Sequence, residues 1–178
     1  MLIIYYPNIM TTNQNETINN IQVQQIIKQV ISSWATQNKV VTDLFNLHED
    51  EYYLKIVAPN RNRGVYILGH LISASDGMLP LLGFGERLYP ELEQLFSNNP
   101  DYTFEQLPSV TELKKKWAAL NVKLQDQFNK LTPEEWLDRH TKVSSEDFSI
   151  QPERNKLSIV LGRTNHISYH AGQLIFLK

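Results

Sequence analysis

The amino-acid sequence predicts an all-α fold, a four-helix bundle with one additional short helix. Four long segments carry apolar residues at intervals of three and four positions, which is the period of an amphipathic helix. Two helix starts match the capping box, in which a Ser or Thr is followed three positions later by a Glu. No segment of convincing length alternates apolar and polar residues as a half-buried strand does. A bundle of helices is therefore the architecture that we expect.

The first helix is predicted over residues 18–47. Asn38 is the one interruption of its helical period, and its other positions are rich in Gln, Asn and Lys, which form a solvated face. A loop that contains Pro59 and Gly64 ends this first unit. The apolar positions that define the buried face are Val23, Ile27, Val30, Trp34, Val41 and Phe45.

The second helix is predicted over residues 65–82 and carries His70. Apolar residues cover most of its surface, which indicates a helix buried between neighbours. Asp76 lies six positions after His70 and so faces another direction; we expect it to cap a turn rather than to act as a fourth ligand. The loop that follows, residues 83–90, lacks the other positions of a phosphate-binding motif and could border a pocket.

The third helix is the clearest, with core positions continuing to residue 131. It begins after Ser109, which forms a capping box with Glu112. A second capping signature, Thr132 with Glu135 and with Pro133 at the first helical position, starts the short helix. A polar stretch then leads to the last helix, predicted from about residue 154 to the end. One stripe of that helix is expected to pack against its neighbours: Leu157, Leu161, Thr164, Ser168, Ala171 and Ile175.

The neighbouring stripe of the last helix contains the candidate metal ligands. His166 and His170 are four positions apart, so both imidazoles lie on one helix face and can reach the same ion. Among the other three histidines, only His70 lies in a strongly apolar segment. Three neutral nitrogen ligands with one open position are typical of a catalytic metal site. We therefore predict that His70, His166 and His170 bind one divalent ion, zinc or nickel.

Two further histidines and one amide leave alternatives open. His140 lies in the polar stretch after the short helix and could replace His70 as the third ligand. His48 lies among charged residues at the end of the first helix, as expected for a surface histidine. Gln173 follows His170 by three positions, so its amide either hydrogen-bonds a ligand or bound molecule or simply faces solvent.

The composition excludes several classes of function. The chain has no cysteine, which rules out disulfides, thiolate metal ligands and a cysteine nucleophile and suits a reducing compartment. A formal net charge of −2 offers no basic surface for nucleic acid or an anionic membrane. No apolar run approaches the roughly 18 residues of a membrane span, and the apolar start lacks the basic region of a signal peptide. We expect a cytoplasmic protein that binds a small molecule.

The chain length suits a single domain with one well-filled core. We assign that domain to residues 17–178 and treat residues 1–16 as an N-terminal extension. Met10 is an alternative to Met1 as the natural start.

Two segments carry a resemblance to a known family: Gly69-His-Leu-Ile-Ser-Ala-Ser-Asp-Gly-Met78 and Asn165-His-Ile-Ser-Tyr-His-Ala-Gly-Gln-Leu174. They resemble the DinB/YfiT-like family of metal-binding four-helix bundles, over roughly residues 18–178. The resemblance implies one ligand histidine on the second helix and two on the last, a left-handed crossover and a homodimer. Family branches include thiol-dependent S-transferases and a maleylpyruvate isomerase, and other members are described as metal-dependent hydrolases.

The residues around the predicted ligands favour thiol transfer over hydrolysis. Zinc peptidases carry a general-base Glu directly after the first motif histidine, but Ile167 occupies that position here. A metal-activated low-molecular-weight thiol needs no separate base and could attack a small electrophile. The alternative is hydrolysis of a small ester or amide by metal-activated water, with Glu86 or Asp76 as the base. A third reading is a non-catalytic, metal-stabilised dimeric bundle.

Overall fold

The computed structural model describes residues 10–177, with side chains described from residue 20 onward. Residues 1–9 of the predicted N-terminal extension lie outside the described residues, and the first helix already begins at Met10 rather than at residue 18. The all-α fold is confirmed. The described residues form α1 (Met10–Phe45), a 3-10 helix (Asp50–Leu54), α2 (Gly64–Asp76), α3 (Met78–Leu82), α4 (Glu91–Phe96), α5 (Val110–Phe128), α6 (Pro133–Leu137), α7 (Ser145–Ile150) and α8 (Lys156–Leu174). Extended pairing in this part of the chain amounts to two isolated bridges, Ile56 with Arg63 and Arg139 with Asn155.

Side chains at the helix starts explain where the later helices begin. Ser109 accepts a hydrogen bond from the backbone N–H of Glu112, whose carboxylate accepts one from the N–H of Ser109, so the predicted capping box is confirmed. The same reciprocal pair forms at the start of α6, between Thr132 and Glu135. Asn155 caps α8 through the N–H of Ser158.

The predicted second helix is divided into two helices at Gly77. Pro80 has no N–H to donate to the carbonyl four residues earlier, that of Asp76, and its ring crowds that carbonyl. Proline is tolerated in a first helical turn, so a new helix, α3, begins at Met78. α3 ends at Leu82, and the capping residue that follows, Gly83, has a φ of 79°, the left-handed conformation that glycine adopts readily.

α2 is the central helix of the fold. It packs against α4, α5 and α8, while α1 lies along α8. Of its thirteen residues, only His70 and Ala74 are not fully buried. The stretch Gly64–Leu82 is apolar and long enough to cross a membrane by length and composition, but 78% of it is buried inside the protein, as in a core helix. His70 therefore sits where the most buried helix approaches the surface.

The register of α8 differs from the predicted packing stripe. Its buried residues are Val160, Thr164, Ile167, Ala171 and Leu174, whereas Leu161 and Ile175 are about half and two thirds exposed. A stripe of three-and-four spacing fits two neighbouring helix faces almost equally well, and the contact with α1 selects one of them. The selected register brings the histidine stripe to the edge of the interface with α2.

Candidate metal centre

The structure brings the three predicted histidines together. Nε2 of His166 lies 3.1 Å from Nε2 of His70 and 3.1 Å from Nε2 of His170. The ligand nitrogens of all three lie within 4.8 Å of one another. The rings meet nearly edge to face, with interplanar angles of 69–89°. One ring comes from α2 and two come from successive turns of α8.

The rings of His70 and His170 each form a hydrogen bond through Nδ1, the ring nitrogen that does not face the other histidines. Nδ1–H of His70 donates to the backbone carbonyl of Phe96 at 2.8 Å. Nδ1–H of His170 donates to Oε1 of Gln173 at 2.7 Å, and the Gln173 amide in turn donates to the Tyr169 hydroxyl at 3.0 Å. Because these oxygens only accept from the ring, each proton sits on Nδ1 and each Nε2 presents its lone pair to the centre.

Nδ1 of His166 faces a hydrogen-bond donor, whereas Nδ1 of His70 and Nδ1 of His170 each face an acceptor. Nη1 of Arg163 lies 3.2 Å from Nδ1 of His166. A guanidinium only donates, so Nδ1 must be the acceptor and the ring proton must sit on Nε2. That proton points into the cluster, where the lone pairs of His70 and His170 accept it.

All three imidazoles are neutral at physiological pH. Burial lowers the pKa of His70 and of His170 below the ordinary value for histidine. The pKa of His166 is lowered to about 3, first by burial and then by the charge of Arg163 and the neighbouring histidines. Neutral imidazole is the form that ligates a metal, so protons compete weakly for this site near neutral pH.

The donor set and its spacing fit a divalent transition metal. Zinc binds imidazole nitrogen at about 2.0–2.1 Å, which places neighbouring ligands of a tetrahedral site roughly 3.3 Å apart. The observed separations of 3.1 Å are close to that spacing. Imidazole suits zinc and nickel alike. Three protein ligands leave one position for an external molecule.

A cleft lies next to His170, one of the three histidines. Its volume is about 260 Å³. Gln173 and Tyr169 border it on α8, and the loop of residues 60–62 borders it from the other side. A larger apolar groove between α1, α5 and α6, about 470 Å³ in volume, includes none of the three histidines in its lining. Of these two cavities, the small polar cleft is the one that a candidate ligand, His170, borders.

The other histidines lie apart from the cluster. His140 is buried after α6, and its Nδ1 accepts a weak hydrogen bond from the N–H of Lys142 at 3.3 Å. His48 is exposed and its ring lies against Tyr52 at 4.0 Å between centroids. Within the part of the chain that the structure describes, the only group with metal-ligand geometry is His70, His166 and His170. The alternative third ligand, His140, is not brought to the site.

The two candidate bases for hydrolysis occupy other roles. Both oxygens of the fully buried Asp76 carboxylate accept backbone N–H groups, of Leu88 at 2.8 Å and of Tyr89 at 3.0 Å. Asp76 thus caps the loop of residues 83–90, as expected. Glu86 is an exposed residue of that same loop.

Two contributors to the site were not predicted from the sequence. The backbone carbonyl of Phe96 has no side-chain signature, and the short helix α4 that presents it was not predicted. Arg163 lies three positions before His166, hence on the same helix face, and is a charged residue in a largely uncharged segment. That spacing was a usable signal for Arg163.

Comparisons with known proteins support the fold without assigning a function. No protein-family model matches the chain, and no curated protein matches it. A solved structure described as a conserved protein of locus from Enterococcus faecalis is similar, with a TM-score of 0.51 and 12% sequence identity over 83% of this chain and 96% of that one. At this identity the similarity shows the fold alone.

Proposed function

We propose that this protein is a metal-dependent enzyme of the DinB/YfiT-like type. In this proposal it is a four-helix bundle and a cytoplasmic homodimer, and His70, His166 and His170 hold one zinc or nickel ion. Its reaction transfers a low-molecular-weight thiol to a small electrophilic substrate. The observation that carries the proposal is the convergence of three neutral imidazole nitrogens beside an open cleft.

The chain supplies what such a centre requires of a protein. The carbonyl of Phe96 and the amide of Gln173 fix the orientation and tautomer of two ligand rings. Burial keeps all three rings uncharged near neutral pH. Three neutral ligands leave the full charge of a divalent ion uncompensated, so a bound ion acidifies a thiol or water at its open position.

Thiol transfer needs little more from the chain than binding and orientation. In the reaction RSH + R′X, the S–C bond forms, the C–X bond breaks, and X leaves with the thiol proton. The thiol must be external because the chain contains no cysteine. Gln173 and Tyr169 line the cleft beside His170, where in this proposal the thiol or the electrophile binds.

Hydrolysis is the less favoured alternative because it requires a base that the site does not offer. Both oxygens of Asp76 are engaged by backbone N–H groups. Among the described residues, no carboxylate hydrogen-bonds any of the three histidines. A thiol acidified by the ion is a nucleophile without further help, which is why we place thiol transfer first.

Metal content tests the centre. After reconstitution with zinc or nickel at neutral pH, the wild type should hold about one ion per chain, and His70→Ala, His166→Ala and His170→Ala should each bind far more weakly. His140→Ala and His48→Ala are matched controls that should bind as the wild type does. Retention of the ion in the three site variants would show that the centre lies elsewhere.

Turnover tests the reaction class. Loaded protein is assayed with a panel of small thiols and an aryl halide, and in parallel with an aryl ester and no thiol. Thiol-dependent loss of the halide supports the transferase, and thiol-independent ester cleavage supports the hydrolase. A bound ion that raises the melting temperature without turnover of either substrate would favour the non-catalytic dimeric bundle.

A further inference from the structure

Arg61 lies in the lining of the cleft beside His170, on the side formed by the loop of residues 60–62. Among the described residues that line this cleft, Arg61 is the one that is charged at neutral pH, and none is an Asp or a Glu. A guanidinium stays protonated at any physiological pH. The lining of the cleft is therefore positive, and a divalent ion held by the three histidines would add to that charge.

Arg61 differs from its neighbour Arg63 in having no acidic partner. The guanidinium of Arg63 forms an ion pair with Asp101, whose side chain is only 3% exposed. The other ion pairs in the described part of the chain also involve basic residues other than Arg61. Arg61 itself is exposed, so a molecule that enters the cleft from solvent can reach its charge.

The backbone of the loop that carries Arg61 is held by hydrogen bonds. The N–H of Arg61 donates to the carbonyl of Ala58 at 3.0 Å, and the N–H of Val57 donates to the carbonyl of Asn62 at 3.1 Å. Asn60 has a φ of 60°, the left-handed conformation that asparagine adopts more readily than most residues. Because this backbone is already ordered, binding at Arg61 has to order little more than its side chain. Asn60 and Asn62 also line the cleft and add amide donors to it.

We propose that Arg61 recognises a carboxylate on the thiol, so that the cleft selects thiols with an anionic tail. This inference rests on the proposed function and specifies its thiol. His170 would help to hold the ion that binds the sulfur, and Arg61 borders the same cleft, so the rest of the thiol would lie between them. A volume of about 260 Å³ accommodates about eight or nine groups of the size of a water molecule, enough for a short chain with one carboxylate. One guanidinium matches one carboxylate in charge and in planar geometry.

Protein loaded with cobalt(II) gives a readout that needs no turnover. Imidazole ligates cobalt(II) as it does zinc, and a thiolate that binds cobalt(II) produces a charge-transfer absorption in the near ultraviolet. The probes are 3-mercaptopropionate and 3-mercaptopropan-1-ol, which have carbon chains of the same length and differ in the charge of the tail. Titration of the absorption gives the dissociation constant of each thiol for each protein.

The wild type should bind 3-mercaptopropionate about three- to fivefold more tightly than Arg61→Met does, the size expected of a partly exposed charge pair. Both proteins should bind 3-mercaptopropan-1-ol equally. Arg61→Lys keeps the charge without the planar fork and should show an intermediate affinity for the anionic thiol. High salt should reduce the difference, because it screens exposed charges. Arg154→Met removes an arginine that contacts Gln151 and does not line the cleft, and it should behave as the wild type does.

The outcomes separate this inference from the proposed function. If the wild type binds no cobalt, or if neither thiol changes its absorption, the proposed function fails and this inference fails with it. If both thiols bind but Arg61→Met binds 3-mercaptopropionate as tightly as the wild type does, the thiol chemistry stands and the role of Arg61 is overturned. An equal loss of affinity for both thiols in Arg61→Met would also overturn it, because the loss would then not depend on the charge of the tail.

Discussion

Nδ1 of His70 lies 2.8 Å from the backbone carbonyl oxygen of Phe96, so the last residue of α4 orients a candidate ligand on α2. The preceding residue of α2, Gly69, makes this approach possible. A Cβ atom at Gly69 would lie 2.5 Å from the ring of Phe96, which is itself fully buried. The absence of a side chain at Gly69 thus sets the distance between α2 and α4 and, through it, the orientation of His70.

Gly69→Ala should lower both stability and metal affinity. Alanine gains about 0.5–1 kcal/mol of helix propensity over glycine, but overpacking a buried ring costs about 1–3 kcal/mol, so the net effect is destabilising. Displacement of Phe96 also weakens the hydrogen bond that orients His70. Thermal unfolding and zinc competition measure the two effects.

Gly162→Ala is the control: a Cβ at Gly162 on α8 meets no atom within 4 Å, so stability should not fall. Unchanged zinc affinity in Gly69→Ala would show that this packing does not position His70.

Gln173→Leu should weaken metal binding by about 10–100-fold, the usual cost of losing the partner of a ligating histidine. Leucine leaves Nδ1–H of His170 without an acceptor and removes the constraint on the ring. Gln173→Glu keeps an acceptor at the same position and should bind at least as tightly as the wild type. Zinc competition at neutral pH compares the three proteins. Equal affinity for the Leu variant and the wild type would mean that Gln173 does not orient His170.

The metal-free protein should lose stability as the pH falls below the ordinary pKa of histidine. The pKa of His166 is lowered from 6.5 to about 3 in the folded protein. Between these values the unfolded chain binds a proton at His166 that the folded chain does not, so acid favours unfolding across this window. Burial lowers the pKa values of His70 and His170 as well, so both histidines act in the same direction.

Melting temperatures measured in a chelator at a series of pH values test this linkage. The wild type should melt at progressively lower temperature as the pH falls from about 6.5 towards 4, and His166→Gln, which does not titrate at that position, should show a shallower decline. Zinc should raise the melting temperature near neutral pH and lose that effect in acid, where protons compete for the ligands. Identical slopes for the two proteins would contradict the low pKa of His166.

Asp76→Ala should destabilise the protein by on the order of 3 kcal/mol, because two backbone N–H groups lose a charged acceptor. Asp76→Asn keeps one acceptor oxygen and should cost less. Urea denaturation measures the stabilities, and the zinc content of the folded variants should remain about one ion per chain. Loss of ester hydrolysis in Asp76→Asn without loss of stability would instead identify Asp76 as a general base.

Helix starts and the identity of the candidate ligands were predictable because they depend on local spacing. The capping boxes at Ser109 and Thr132 are contacts over three residues, which a sequence displays directly. The spacing of His166 and His170 places them on one helix face wherever the helix packs. The break at Gly77 was also local: Pro80 could have indicated it, because a proline disrupts the turn that precedes it.

The short helix α4 and the long-range contacts could not be predicted in this way. α4 has six residues and no side-chain cap, so little in its sequence distinguishes it from a loop. The burial of its residues Leu92 and Phe96 against α2 is a tertiary contact, and the sequence does not display it. The register of α8 likewise depends on which of two apolar stripes α1 covers, a choice made by packing.

By itself, the sequence determined an all-α protein in which two histidines share a helix face and a third lies in an apolar helix, because helical periodicity and capping act within a few residues. Only the tertiary structure decided that His70 meets His166 across ninety-six positions and that the backbone carbonyl of Phe96 orients the ring of His70. These relations depend on the packing of α2 between α4 and α8. The tautomer of His70 follows from its non-local partner, the carbonyl of Phe96, and that partner is known only when the helices are in place.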